Sequence, residues 1–251
     1  MSLLTTSGIL LRRYPYSETS QILRFYTESR GVVGALARGV RKTGGRRGGP
    51  LSTFSEGILN VQFKDNRDLQ TFRDFSPSRT RMGLASDPLR MAGASVLGEL
   101  ILQHAESEEN PHLFRKLGLG LDALESKGPE PFLSVLLVHL WGLIQELGYG
   151  PLLDQCVECG RSFLTEEIGR FDYGAGGLRC PDCPGEVQGP RMGPGAREQL
   201  EVLLSGSYPE PLVKPETHLR LASDFITYHI SGGKPLRSMA VLASLSKSPD
   251  A

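Results

Sequence analysis

No stretch of this chain approaches the run of about 18 uninterrupted apolar residues that a membrane-spanning helix needs. The most apolar segment, Phe132 to Leu147, is broken by His139, Gln145 and Glu146, so no membrane partner is expected. Nor does a basic start precede the short apolar run from Met1 to Leu11, because Arg12 and Arg13 come after it. That order does not suit a secretory leader, and the expected location is the cytoplasm. Signatures of catalysis are missing too: there is no G-x-x-x-x-G-K-[ST] phosphate loop, no nucleophile elbow, and no histidine with a Ser or Cys partner placed by a motif. The expectation is a protein that is not an enzyme. Cysteine is scarce, with four in 251 residues. General disorder is excluded, since 39% of residues are hydrophobic and 22% charged.

Net charge is also absent, yet the zero conceals an asymmetry. Residues 1–80 carry thirteen Lys/Arg against six Asp/Glu, and residues 81–251 carry fifteen against twenty-two. The first third is therefore basic by seven charges and the rest acidic by seven. Between Arg30 and Phe54 stand six basic residues, Arg30, Arg38, Arg41, Lys42, Arg46 and Arg47, and no acidic one. A solvated surface interleaves both signs, so a one-signed segment points to a polyanion. These six are the candidate nucleic-acid contacts, and the arginines that begin the helical part, Arg79, Arg81 and Arg90, are the next candidates.

Residues 8–75 have strand character. Gly8 to Tyr14, Ser20 to Tyr26, Gly31 to Ala37, Glu56 to Phe63 and Asp68 to Phe75 are β-branched, aromatic or aliphatic runs separated by turn residues. Five short strands fit a small barrel, from which the Gly-rich, basic segment Gly39 to Pro50 should project. Barrels of this kind bind single strands in grooves of basic and aromatic residues. Of Tyr14, Tyr16, Phe25, Tyr26, Phe54, Phe63 and Phe72, most should be core, with one or two facing solvent.

After Ser78 the periodicity becomes helical. Asp87-Pro88, Asn110-Pro111 and Glu130-Pro131 place proline where a helix begins without losing a needed N–H, and Asp87 and Asn110 can cap. Leu89, Val96, Leu97, Leu100, Ile101 and His104 form one amphipathic stripe; Leu113, Phe114, Leu117, Leu121 and Leu124 form another. Phe132 to Leu147 is apolar nearly all round, which predicts a buried helix carrying Trp141 and ending at Gly148. Pro194 to Leu204, His218 to Ile230 and Pro235 to Leu245 complete the predicted helices.

The most specific signal is Cys156-Val-Glu-Cys159 followed, after twenty residues, by Cys180-Pro-Asp-Cys183. Two such knuckles supply four thiolates, the number a closed tetrahedral zinc site takes. Such a site leaves no position for a reactive water, so one structural zinc ion is expected. The rivals are a redox dithiol or two disulfides, which suit an intracellular chain less well. His104-Ala-Glu106 has the H-x-E form of zinc deaminases, but Arg179 and not proline precedes Cys180, and that reading leaves Cys156 and Cys159 unexplained. His139 and His229, on apolar stripes, read as core.

In this order of parts the chain resembles the bacterial recombination mediator family RecO. The resemblance is carried by Gln145 to Gly160 (QELGYGPLLDQCVECG), by Ala37-Arg-Gly-Val-Arg-Lys42, by Asn110-Pro-His-Leu-Phe114 and by Lys234-Pro-Leu-Arg-Ser238, and it spans essentially the whole chain. It implies an α+β multidomain fold: a five-stranded OB-fold β-barrel over 1–79 for nucleic-acid binding, then an α-helical domain over 80–251 interrupted by a zinc-binding segment at 154–186. It further implies DNA repair and homologous recombination through the RecFOR pathway. The implied partners are single- and double-stranded DNA, RecR, and the acidic C-terminal tail of single-strand-binding protein (SSB). The implied activities are strand annealing and assistance to RecA. A zinc-containing RNA or ribosome-associated module shares the same charge and fold features, and a zinc hydrolase would need an open position on the metal.

Overall fold

The computed structural model describes residues 2–39, 51–105, 108–126, 128 and 131–246. Strands β1 (Ser2–Pro15), β2 (Gln21–Thr27), β3 (Gly31–Ala37), β4 (Glu56–Phe63) and β5 (Leu69–Arg79) form a closed barrel in the order β1-β2-β3-β5-β4. This five-stranded architecture is that of an OB-fold. Closure depends on β1, which is twice the expected length. Its first half, Ser2 to Ile9, pairs with β4, and its second half, from Gly8 to Pro15, pairs with β2. The register shifts between Leu10 and Arg12, so the strand bends there as a bulged strand does. A parallel pairing of β3 with β5, Gly34 opposite Leu69, seals the remaining gap.

Alternation along the strands sends Leu10, Leu23, Phe25, Ala35, Leu59, Val61 and Phe75 inward, and all seven are fully buried. Phe25 and Phe75 meet with ring centroids 5.2 Å apart. Of the seven barrel aromatics, Tyr14 and Tyr16 are the exposed ones.

Three helices, α1 (Met82–Ala85), α2 (Pro88–His104) and α3 (Pro111–Glu125), belong to the same compact unit as the barrel. Asp87 caps α2 by accepting from the Leu89 and Arg90 amides, and Asn110 caps α3 by accepting from the Leu113 amide. The stripe foreseen on α3 is buried as a set. The amphipathic reading of α2 is corrected: Ala92 to Ala94 and Val96 to Ile101 are buried around its whole circumference. Small residues make that possible, since Gly98 lets the Phe54 ring lie directly against the helix backbone.

The second compact unit, residues 128–244, contains α4 (Phe132–Glu146), the short strands β6 (Gly169–Asp172), β7 (Gly177–Arg179) and β8 (Arg191–Met192), helices α5 (Pro194–Leu204) and α6 (Pro215–His229), and all but the last residue of α7 (Arg237–Leu245). The short strands form a sheet in the order β7-β6-β8. Helix α4 is the apolar centre: Trp141 is fully buried against Phe225 of α6, at 5.5 Å between centroids. It ends as foreseen, with Gly148 at φ +90°. Helix α6 starts three residues earlier than its apolar pattern indicates, because Pro215 occupies the first helical turn without costing a hydrogen bond. The compact division falls at 127/128, whereas the change from strand to helix falls near 80.

Candidate metal centre and nucleic-acid face

The residues that follow α4 set up the metal centre. The Leu152 carbonyl accepts from the Leu178 amide and the Val157 amide donates to the Leu178 carbonyl, which brings the first knuckle beside β7 and hence beside Cys180. Gly160, at φ +74°, turns the chain after Cys159, and its amide donates to the Cys156 carbonyl.

The four sulfurs lie within 4.8 Å of one another. Cys156 to Cys183 and Cys159 to Cys180 are each 3.8 Å, and Cys180 to Cys183 is 3.5 Å. A tetrahedral ion with metal–sulfur bonds of about 2.3 Å separates its sulfurs by about 3.8 Å, so this donor set fits such an ion. All four thiols are free, which removes the two-disulfide reading. The group contains no histidine or carboxylate, so it offers none of the mixed ligand set of a deaminase.

Electrostatics prepare these thiols. Burial of Cys156 favours the neutral thiol, but backbone N–H groups of Cys159, Cys180 and Glu158 outweigh it and bring the pKa down to about 6. Cys183 moves the other way, raised by burial and by the neighbouring cysteines. Two arginines flank the cluster. Arg161 forms a forked pair with Glu167 and reaches Asp182 at 2.9 Å; Arg179 pairs with Glu158 at 2.9 Å and Asp172 at 3.2 Å. The Arg161 guanidinium holds the Glu167 carboxyl down at about 2.

A separate cavity of about 310 Å³ lies where β8, α5 and the start of α6 meet. Met192, Val213 and Leu221 give it apolar walls, and Arg191 and Lys214 also line it. His218 lines it too; it is 5% exposed, with Nε2 3.3 Å from the Gln199 amide oxygen and Nδ1 without a hydrogen-bond partner among the described residues.

The candidate nucleic-acid contacts are distributed unevenly. Arg30 is exposed in the β2–β3 turn, with its guanidinium carbon 5.4 Å from the Phe63 ring centroid. Arg38 is exposed just beyond β3. At about 3.3 Å per residue these two stand about 26 Å apart along β3, at its opposite ends. Arg41, Lys42, Arg46 and Arg47 lie outside the described residues, as does Glu106 of the H-x-E decoy. Arg81 is no surface contact at all, since its side chain is fully buried.

Two arginines that the charge run left out occupy the outer face of the barrel. Arg12 on β1 stands directly opposite Arg24 on β2, and Arg24 stands opposite Gly34 on β3. Arg12 also lies over the exposed Tyr14 ring, at 5.2 Å from its centroid. Arg38 follows Ala37, whose partner Gln21 pairs with Pro15, so it stands at the barrel end that carries the Tyr16 turn. The usable signal was strand phase: with Leu23 and Phe25 inside, Arg24 must face out.

A basic OB barrel followed by a helical region with a four-cysteine centre defines a nucleic-acid-associated class, and no helix among the described residues is long and apolar enough to cross a membrane. Residues 1–81 match the family model "Recombination protein O N terminal" and residues 85–239 match "Recombination protein O C terminal". The chain is 33% identical over 218 residues to the DNA repair protein RecO of Anaeromyxobacter sp. (strain K), covering 83% of this chain and 84% of that one. It is 31% identical over 211 residues to that of Symbiobacterium thermophilum (82% and 81%), and 29% identical to that of Desulfatibacillum aliphaticivorans over 97% of each chain. The chain belongs to the RecO family of DNA repair and recombination proteins.

Proposed function

We propose that this chain is a non-enzymatic recombination mediator of the cytoplasm and nucleoid. It binds single- and double-stranded DNA, anneals complementary strands, and with RecR assists RecA loading onto SSB-coated single strands. The observation that carries the reading is the excess of arginine over acid on a family-matched OB barrel, with Tyr14 and Tyr16 exposed at the same end. Phosphate contacts by such side chains are indifferent to sequence, and a positive surface lowers the repulsion between two strands, which gives annealing a route without ATP. Residues 1–79 act as the DNA-binding domain, with Arg30, Arg38, Arg41, Lys42, Arg46 and Arg47 as contacts. The barrel also contacts RecR, and residues 80–251 bind the SSB tail. Cys156, Cys159, Cys180 and Cys183 hold one structural zinc, which braces segment 154–186.

The cavity lined by Arg191, Lys214 and His218 suits the acidic SSB tail, with apolar walls for hydrophobic side chains and two cations for the carboxylates. Lys214→Glu should abolish binding of a labelled tail peptide while DNA affinity stays unchanged.

The function is tested by following annealing of complementary oligonucleotides coated with SSB. Acceleration by the intact chain, without ATP, supports the reading. Selective binding of structured RNA over DNA of equal length would favour the ribosome-associated alternative instead.

A further inference from the structure

On the outer face of the barrel two residues of like charge stand opposite each other in register. Arg12 and Arg24 are direct cross-strand partners, and like charges so placed on neighbouring strands destabilise a sheet. Proteins offset such pairs with an acidic neighbour. Here, among the described residues, neither arginine has an ion-pair or hydrogen-bond partner in the folded chain. On the next strand Arg24 faces Gly34, which has no side chain, and the Arg24 Nη1 lies 3.3 Å from where a Cβ would stand there, beside Leu69 Cδ1 and the Asp68 carbonyl oxygen.

We propose that Arg12 and Arg24 form a phosphate-binding pair, which holds one backbone phosphate of a single DNA strand across β1 and β2. The proposal rests on the DNA-binding reading above and adds residues that the one-signed segment from Arg30 to Phe54 does not contain. A phosphate oxygen bridging two guanidinium groups converts their repulsion into two charge-assisted hydrogen bonds. Tyr14, under Arg12, lines the path along which the neighbouring base would lie. The sheet is thus kept slightly unfavourable until an anion arrives.

That arrangement has an unusual signature, because stability and affinity move in opposite directions. The test compares the intact protein with the Arg12→Gln/Arg24→Gln double variant and with Arg24→Lys. Melting temperature is measured without DNA and with tripolyphosphate, and affinity for a fluorescent thymidine oligonucleotide is measured across a salt series. The double variant should melt no lower than the parent without anion, gain less from tripolyphosphate, and show a log–log salt slope smaller in magnitude by about 0.7, the value for one single-strand phosphate. Arg24→Lys should keep most of the slope. An unchanged slope and an unchanged tripolyphosphate shift would overturn the proposal; so would a lower melting temperature in the double variant without anion. If the parent fails to bind the oligonucleotide yet gains stability from tripolyphosphate through these arginines, the anion site stands and the DNA reading fails.

Discussion

Arg81 donates from Nε to Asp122 Oδ1 at 2.6 Å, and through this pair helix α3 is clamped to the barrel. The same guanidinium reaches Glu56 Oε2 at 2.6 Å and the Phe54 carbonyl at 2.9 Å, both on the barrel side, and the Gly118 carbonyl at 3.3 Å on α3. Removing one partner of such a pair leaves an uncompensated charge, at a cost of about 3–5 kcal/mol. Asp122 and Glu56 retain partial contact with water, which places the cost near 3. Arg81→Met should therefore lower stability by about 3 kcal/mol in urea titration. A fragment covering 1–127 should unfold cooperatively, whereas 1–79, which lacks Arg81, should not. Equal stability of the two fragments would contradict this role.

The cysteine centre leads to a compositional prediction. Metal binding supplies local folding energy, so Cys156→Ser should reduce bound zinc from one per chain to near none. It should also raise hydrogen exchange across 154–186 while single-strand affinity is retained. Parent protein that carries no stoichiometric metal after purification in chelator-free buffer would refute the zinc assignment.

The strands and most helices were legible because their signals are local. Period-two runs marked β2, β3 and β4, and proline after Asp87 and Asn110 marked the starts of α2 and α3. The centre was legible because two C-x-x-C knuckles already fix four donors. What was hidden depends on tertiary partners. Helix α2 reads as amphipathic, yet it is enclosed, since Phe54 and Leu11 cover the side that carries Gly98. The extra length of β1 comes from pairing with two different strands, and no local pattern records that. Composition ranked Arg41 to Arg47 above Arg12 and Arg24 because it counts charges along the chain, whereas Arg12 and Arg24 meet across strands.

Acid should weaken the fold through histidine. Desolvation lowers the pKa of His139, on the apolar helix α4, and likewise that of His104 and His218. For a base with a folded pKa below its unfolded value of about 6.5, the unfolded chain binds more protons, so stability is lost as pH falls below about 6.5. Melting temperature should drop between pH 7.5 and 5.5, and His139→Leu should flatten that dependence. An identical pH profile in the variant would rule out His139 as a contributor.

The basic segment can be tested by charge reversal. Arg38→Glu, Arg41→Glu and Lys42→Glu together should reduce single-strand affinity and annealing in parallel, with zinc content and helix signal unchanged. Loss of annealing with intact DNA affinity would separate two activities that this account assigns to one surface.

The central claim, that the barrel holds a single DNA strand through its phosphates, is tested most directly by the salt dependence of binding. Fluorescence anisotropy of the intact chain with a labelled single strand, from low to moderate salt, should give a log–log slope of about −2.8 if four phosphates are engaged, with little dependence on base sequence. A slope near zero, or no binding at low salt, would contradict the account.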